Sequence, residues 1–242
     1  FMNVDQTISK VMKDWGHSNY TYYTDLVLSE NGAETDDFLL PSKQQQIQDK
    51  LLEFPSINIV HLSIGGNDVL GGWNVNFTPQ QTDSIQDAVL GRLDSLVTFI
   101  KSVRPGIQIL WSGYTYTNFG EVIGTLPTLV QANHPFYSTW QGMGFPTFTQ
   151  LNAVQNLFTD RIFNQYSADP QVTVIPATGL MQYAFGQTVP LGVAPGGTYP
   201  AFTVPMPYGN PAYPSPKTTM RDYGLFRDCF HLSAAGYYDM VS

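Results

Sequence analysis

Three short apolar segments, separated by helix-like stretches, constrain the fold of this chain more than any other feature. They occupy residues 57–64 (INIVHLSI), 107–111 (IQILW) and 172–175 (VTVI). Continuous apolar runs of this length are typical of strands buried in a parallel sheet. An amphipathic helix is predicted over residues 78–104, between the first two runs, and another over residues 147–167. Strands that alternate with helices, without a hairpin signal, predict a parallel sheet with helices on both faces.

Further elements are predicted along the rest of the chain. Residues 4–15 (VDQTISKVMKDW) and residues 42–53 have the spacing and composition of helices. Residues 20–28 (YTYYTDLVL) are β-prone. Residues 113–146 are expected to be irregular and aromatic. Residues 177–227 are predicted to be a long Pro/Gly/Tyr-rich insertion.

The composition excludes several classes of protein. With 43% hydrophobic and 14% aromatic residues, residues 1–242 are expected to form a single globular domain. The formal net charge of -8 argues against nucleic-acid binding, because an acidic surface repels phosphate. No stretch reaches the roughly 18 apolar residues that span a bilayer, so no membrane partner is expected. Only 12% of the residues are charged, which favours a secreted or periplasmic protein.

Cys229 is the single cysteine of the sequence, which excludes an intrachain disulfide and a cysteine-rich metal site. We expect its side chain to be a small filler, since no base is assigned to it. Asp228 and His231 lack a third ligand at a suitable spacing, so no metal or other cofactor is expected.

Residues 65–68 (GGND) directly follow the first apolar segment. Two glycines allow the backbone to turn sharply and to approach a ligand closely. Asn67 can then direct its side-chain amide at an oxyanion, as side-chain donors do in acyl-transfer sites. The alternative is an ordinary strand-to-loop turn, in which Gly, Asn and Asp are frequent for backbone reasons.

Gly32, within residues 31–35 (NGAET), offers a second donor. Because glycine presents its backbone N–H without steric cover, Gly32 can serve the same oxyanion as Asn67. An isolated Asn-Gly turn is the alternative interpretation.

Asp228 and His231 stand three residues apart in the segment DCFH. On an irregular turn, Asp228 can accept a hydrogen bond from one ring nitrogen of His231, and the other nitrogen can then act as a base. The alternative is a helix entry, with Ser233 capping a helix that begins at Ala234. In parallel sheets, ligands bind beyond the carboxyl ends of the strands, where these motifs can converge.

The other histidines are interpreted as structural. His61 lies within an apolar segment and is expected to be a satisfied core residue, whereas His17 and His134 lie in loops without a partner pattern.

Taken in order, these motifs resemble the sequence blocks of the SGNH (GDSL-type) hydrolase superfamily. Gly32 matches the glycine of block two, and residues 65–68 match block three, with Asn67 as its asparagine. Asp228 and His231 match the DxxH of block five. The resemblance implies a flavodoxin-like three-layer α/β/α sandwich around a central parallel sheet. It also implies two-step acyl transfer, in which a serine attacks an ester carbonyl and His231 removes its proton. In that scheme Asp228 holds His231, and Gly32 and Asn67 stabilise the oxyanion.

The block that carries the nucleophilic serine, a Gly-Asp/Asn-Ser after the first strand, has no match in the expected place. Residues 16–18 (GHS) follow an amphipathic helix and lie too close to Gly32, so Ser18 is not interpreted as the nucleophile. Residues 1–3 (FMN) resemble the tail of that block. We therefore expect a sequence truncated at both ends, with the first strand and the serine outside it, and no activity from the sequence as given.

The favoured function is that of a serine esterase or lipase-like hydrolase, and the expected substrate is an acylated carbohydrate. The aromatic residues of the 177–227 segment are expected to form either a substrate-facing lid or a rigid surface loop. An O-acetyltransferase with the same triad is one alternative function. A catalytically silent SGNH-like binding domain is another, favoured if the complete gene lacks a serine block.

Overall fold

The computed structural model describes most of the chain. The described residues are 10–11, 13–14, 16, 27–183 and 209–241. Most of the predicted strand over residues 20–28 and most of the predicted helix over residues 4–15 therefore lie outside the described residues, although Lys10, Val11, Lys13 and Asp14 have helical backbone.

A three-stranded parallel sheet forms the centre of the fold. Its strands are β1 (Ile59–Leu62), β2 (Gln108–Ser112) and β3 (Val172–Ile175), in the order β1-β2-β3. β3 has the predicted bounds. β1 is four residues long, shorter than the apolar run over residues 57–64 that predicted it. Long helices connect the strands, so the sheet is flanked by helices and is compatible with a three-layer α/β/α sandwich.

Two long helices connect the strands, and both begin where their sequence predicts. α3 (Pro79–Val103) starts with a capping box, in which the Thr78 hydroxyl accepts from the Gln81 N–H and the Gln81 side chain accepts from the Thr78 N–H. α7 (Phe148–Tyr166) starts with a capping box at Thr147. Each box satisfies N–H groups that the first turn of a helix leaves without a backbone partner. Shorter elements precede α3: the 3₁₀ turn Asp37–Leu39, α1 (Pro41–Glu53) and α2 (Gly66–Gly72).

The main core lies between these long helices and one face of the sheet. Side chains at alternate positions of a strand share a face, and the face with Ile109 and Trp111 is almost fully buried. The helix side chains that meet it are also buried: Val89, Leu93, Leu96 and Ile100 of α3, and Phe158 and Ile162 of α7. Each such side chain stabilises the fold by about 1.5–3 kcal/mol relative to an exposed one.

The opposite face of the sheet is more polar and more exposed than the apolar runs predicted. It carries Ile59, with 58% of its surface exposed, and Ile175, with 44% exposed. On the same face, Nε2 of His61 is hydrogen-bonded to the Ser112 hydroxyl at 2.7 Å. Our expectation of strands buried on both faces is therefore wrong for β1 and β3.

The segment after β2 contains short helices, where an irregular stretch was expected. These are α4 (Phe119–Val122), α5 (Thr128–Gln131) and α6 (Tyr137–Gly142). α4 begins where the Asn118 side chain accepts from the Glu121 N–H at 3.1 Å, which is an N-cap that the composition of the segment conceals.

The chain also forms an antiparallel hairpin, which the sequence analysis did not predict. β4 (Met220–Tyr223) pairs with β5 (Phe226–Leu232) across the two-residue turn Gly224-Leu225. Gly224 has a φ of +64°, which suits the first central position of a tight hairpin turn. Leu225 gives no turn signal at the second position, and it is 99% exposed.

The predicted insertion over residues 177–227 is therefore structured at its end by β4. It also contains α8 (Leu180–Tyr183) and the 3₁₀ turn Lys217–Thr219, whereas residues 184–208 lie outside the described residues. α9 (Ala234–Val241) follows the hairpin, and Ser233 accepts from the Gly236 N–H at 3.1 Å, as expected for its cap.

Candidate functional site

The DCFH segment lies in a wide bulge of the hairpin. Between the two ladder pairs that flank the irregularity, β4 contributes one residue, Arg221, and β5 contributes residues 228–231. Extra residues on one strand bend it and re-aim its side chains. Our expectation that the motif lies on an irregular turn is therefore corrected: the motif belongs to a strand, and the bulge supplies its irregularity.

Asp228 organises this bulge through both of its carboxylate oxygens. Oδ1 accepts from the backbone N–H groups of Phe230 and His231, each at 3.0 Å. Oδ2 faces Nδ1 of His231 at 2.8 Å, and the carboxylate is fully buried. Burial alone would raise the pKa of Asp228, but the hydrogen bond and charge of His231 and the two N–H donors outweigh it and lower the pKa to about 2. Asp228 is thus an ionised acceptor across the physiological range.

His231 is oriented as a general base requires. The contact between its Nδ1 and Asp228 favours the tautomer whose Nε2 carries the lone pair. The side chain is 35% exposed, and no described residue is hydrogen-bonded to Nε2. The ring also contacts two aromatic side chains, with centroid distances of 4.4 Å to Phe230 and 6.4 Å to Phe136.

Arg221 is a component of the site that sequence reasoning missed. Its Nε donates to Oδ2 of Asp228 at 2.8 Å, and its Nη2 lies 3.1 Å from Nδ1 of His231. A cation therefore shares the carboxylate oxygen that holds the histidine. Nothing in the stretch MRDY distinguishes this arginine from one on a solvated strand.

Asn67 and Gly32 lie together at a second part of the site. Asn67 is in the first turn of α2, and its Nδ2 donates to the carbonyl oxygen of Ala33 at 2.9 Å. Gly32 precedes Ala33 in an exposed turn and has a φ of +79°, which a residue with a side chain rarely adopts. The structure thus brings the two predicted oxyanion donors next to each other.

A buried ionic cluster attaches the segment that follows Gly32 and Ala33 to α2. The carboxylate of Asp68 accepts from the backbone N–H of Thr35 at 3.0 and 3.2 Å and from the Thr35 hydroxyl at 2.5 Å. Arg92 of α3 donates from Nη2 to Asp68 at 2.8 Å and from Nε to the Thr35 hydroxyl at 2.7 Å. Asp68, the last residue of the GGND segment, thus fixes the position of the turn that its neighbour Asn67 contacts.

Both parts of the site lie at the carboxyl edge of the sheet. β1 and β2 are parallel neighbours, so their carboxyl ends meet at one edge. Asn67 follows β1, and Asn118 follows β2 and donates its backbone N–H to the carbonyl oxygen of Cys229 at 2.7 Å. The hairpin with His231 is thereby attached to the edge that carries Asn67. Among the described residues, no hydrogen bond joins Asn67 directly to His231.

Tyr114 packs against the start of α2. Its ring packs against Gly66, where an added Cβ would come within 2.7 Å of the ring, and its hydroxyl is hydrogen-bonded to the Gly66 N–H and to Ser63. Burial is the main cause that raises the pKa of Tyr114 to about 12, and the charges of Asp68 and Tyr237 contribute to the same shift.

The other histidines differ in their surroundings. His61 is hydrogen-bonded to Ser112, as expected for a satisfied histidine, but it is only partly buried and is therefore not the core residue that was expected. His134 lies in a loop, as expected, but it is buried and has partners that the sequence does not indicate: its Nδ1 accepts from the Phe136 N–H at 3.2 Å, and its Nε2 faces the Arg227 carbonyl at 3.0 Å. Burial lowers the pKa of His134. His17 lies outside the described residues.

Cys229 is fully buried, and burial raises the pKa of its thiol, which suits the filler role expected for it. Among the described residues, no group of three His, Cys, Asp or Glu side chains is placed to hold a metal ion. The described helices include none that is both long and apolar enough to cross a membrane.

Comparison with known proteins gives a distant likeness among solved structures. No family model matches the chain, and no curated protein matches it significantly. The chain is similar to a possible lipase from Chitinophaga pinensis DSM 2588, whose crystal structure is known, with a TM-score of 0.42 and 14% sequence identity. The match covers 98% of this chain and 83% of that chain. A likeness of this extent carries no argument about function.

Proposed function

We propose that this protein is an ester hydrolase of the SGNH type. The observation that carries the proposal is the pair of Asp228 and His231, with a buried, ionised carboxylate on Nδ1 and an open Nε2. A histidine held in this way accepts a proton from a hydroxyl group and later returns it to a leaving group. The position of the pair at the carboxyl edge of a parallel sheet supports a ligand site there.

The second support is the pair of adjacent donors at Gly32 and Asn67. The Asn67 Nδ2 carries two hydrogens, and its bond to the Ala33 carbonyl uses one of them. The remaining N–H and the backbone N–H of Gly32 are proposed to stabilise the oxyanion of the tetrahedral intermediate. One donor of this kind contributes about 3 kcal/mol to transition-state stabilisation.

The reaction is proposed to proceed in two steps. A serine hydroxyl loses its proton to Nε2 of His231 as it attacks the ester carbonyl, and the alcohol leaves with that proton. Water then attacks the acyl-enzyme, His231 again acting as the base, and the acid is released. We propose that the attacking hydroxyl belongs to a serine, which the labelling experiment below identifies. We also propose an acylated carbohydrate as the substrate, because the ring of Phe136 lies 6.4 Å from the His231 ring and packs on the exposed ring of Tyr223.

Labelling with a fluorophosphonate tests this proposal on the protein expressed from its complete gene. The reagent should modify one serine, identified by mass spectrometry of the digested protein. His231→Ala should suppress the labelling and ester hydrolysis by at least about 10³-fold. His61→Asn is the matched control, since it removes an imidazole that bonds to Ser112 within the parallel sheet, and the variant should retain both labelling and hydrolysis.

Three results would count against the proposal. If no serine is labelled and no ester is hydrolysed, the protein is better described as a binding domain of this fold. If an acyl group is transferred to a sugar in preference to water, it is an acetyltransferase. Equal loss from His61→Asn and His231→Ala would show that the wrong histidine has been assigned.

A further inference from the structure

We propose that Arg221 is a positioning residue that sets the pH range in which His231 acts as a base. The inference rests on the proposed function for its catalytic meaning, although the electrostatic relationship itself can be measured without a substrate. Nothing in the DxxH motif includes this arginine, because it stands on the other strand of the hairpin, opposite the bulge.

The hairpin geometry gives Arg221 this position. It is the single β4 residue opposite the four β5 residues of the bulge, and its guanidinium contacts both members of the pair. Its side chain is 23% exposed, whereas the Asp228 carboxylate is fully buried. Its Nε donates to Oδ2, so the guanidinium fixes the position of the carboxylate as well as neutralising its charge.

Two effects on His231 follow from this contact, and both act in the same direction. A permanent positive charge 3.1 Å from Nδ1 disfavours a second positive charge on the imidazole. In addition, Arg221 shares Oδ2 of Asp228, which weakens the attraction between that carboxylate and an imidazolium. Arg221 therefore favours the neutral imidazole, which is the form that accepts a proton from a nucleophile.

The contact also bears on the tautomer. If Nδ1 carries the proton, it donates to Asp228 and Nε2 is the base. If Nδ1 accepts from Arg221, Nε2 carries the proton and cannot act as a base. The 2.8 Å contact to Asp228 is shorter than the 3.1 Å contact to Arg221, which favours the competent tautomer.

The charged and titratable groups around the pair come from several elements. Asp228 lies on β5 and Arg221 on β4. His134, from the loop before α6, interacts electrostatically with Asp228, as does Tyr237 of α9, which also interacts with Arg221. Arg221 is the group among these that carries a fixed positive charge within hydrogen-bonding distance of the imidazole.

The test is a titration of the His231 ring by NMR in four variants of the protein expressed from its complete gene. Arg221→Met and Arg221→Gln remove the charge and should raise the titration midpoint of His231 by about one pH unit. Arg221→Lys retains the charge and should leave the midpoint within a few tenths of a unit. Arg227→Met is the matched control, because it removes an arginine of the same hairpin that pairs with the exposed Asp222. Arg227→Met should also leave the titration midpoint of His231 unchanged.

The same variants separate this inference from the proposed function. Where ester hydrolysis is detected, the acid limb of the kcat/KM profile should move to higher pH in Arg221→Gln by the same amount as the midpoint. A midpoint that shifts without any hydrolysis supports the role of Arg221 and counts against the esterase. An unshifted midpoint in Arg221→Gln, or an equal shift in Arg227→Met, overturns the role of Arg221, whether or not the protein hydrolyses esters.

Discussion

The side-chain amide of Asn67 donates to the backbone carbonyl of Ala33 at 2.9 Å. This bond connects a residue that follows β1 to a turn more than 30 residues earlier in the chain. It therefore fixes the direction of the amide that is proposed to contact an oxyanion, and a donor fixed before the reaction does not have to reorganise during it.

Asn67→Ala should lower kcat for ester hydrolysis by roughly 10²–10³-fold and change KM much less, because the lost donor acts on the transition state. Steady-state kinetics on a short-chain aryl ester would measure this. Asn74→Ala is the matched control: it also removes an amide that donates to a backbone carbonyl, that of Gly142 at 2.7 Å, and kcat should stay within about twofold. A loss in Asn67→Ala that falls mainly on KM would contradict the oxyanion role.

Asp68→Ala should destabilise the fold by about 3–5 kcal/mol, because it leaves Arg92 and the Thr35 N–H without the buried carboxylate that pairs them. Urea unfolding followed by circular dichroism would measure the change. Asp87→Ala removes an ion pair of similar type with Arg161, but the Asp87 side chain is 66% exposed. It should cost less than about 1 kcal/mol. An equal loss of unfolding free energy in the two variants would show that the buried Asp68 cluster stabilises the fold no more than an exposed ion pair.

His134 should make the protein less stable in mild acid. Burial lowers the pKa of this histidine below 6.5, so the unfolded chain binds a proton at a higher pH than the folded one. The stability that His134 contributes is therefore fully present above pH 6.5 and is lost as the pH falls through its folded pKa. His134→Gln should make the melting temperature depend less on pH in this window, as measured by thermal melts at successive pH values. If the melting temperature of His134→Gln falls with pH as steeply as that of the original protein, other groups cause the acid sensitivity.

The sequence predicts the sheet and the long helices well, for local reasons. The capping boxes at Thr78 and Thr147 mark the helix starts, and β3 has the bounds of its apolar run. The hairpin was missed because β4 (MRDY) does not alternate apolar and polar residues, and because its turn pairs Gly224 with a leucine. Burial was overestimated at Ile59 because the composition of a strand does not show what covers each face.

In the candidate site, too, local contacts could be predicted from the sequence and long-range contacts could not. The contact between Asp228 and His231 is local, three residues apart, so a motif can encode it. Arg221 reaches the pair through strand pairing, and Arg92 reaches Asp68 across two elements. Neither arginine has a sequence signal, because the contact depends on how distant segments pack and not on spacing along the chain.

Gly66→Ala should disturb the site through Tyr114. A Cβ at this position would approach the tyrosine ring to 2.7 Å, closer than real Cβ contacts, so the ring must move away from the Gly66 N–H. We expect a loss of about 1–3 kcal/mol in unfolding free energy. Gly91→Ala, in the middle of α3 with open space around it, is the control and should stabilise the fold by about 0.5–1 kcal/mol. A neutral Gly66→Ala would show that Tyr114 is not held in place by this contact.

The aromatic side chains beside His231 should affect the choice of substrate. Tyr223 is 42% exposed and packs on Phe136, with 5.4 Å between ring centroids, and Phe136 in turn contacts the His231 ring. Aromatic faces of this kind suit the apolar C–H surfaces of sugar rings. Tyr223→Ala should raise KM for an acetylated oligosaccharide by roughly tenfold and leave hydrolysis of a small acetyl ester unchanged.

Two further variants sharpen this last test. Tyr223→Phe keeps the ring and should keep KM for the saccharide, which separates stacking from hydrogen bonding by the hydroxyl. Phe163→Ala removes an aromatic side chain of α7 that is 48% exposed, and it should leave the hydrolysis of both substrates unchanged. If Tyr223→Ala impairs the small ester and the saccharide equally, the ring supports the hairpin and Arg221, whose guanidinium lies 5.5 Å from the ring centroid. In that case the carbohydrate proposal loses its structural support, because the exposed ring of Tyr223 is the aromatic face on which it rests.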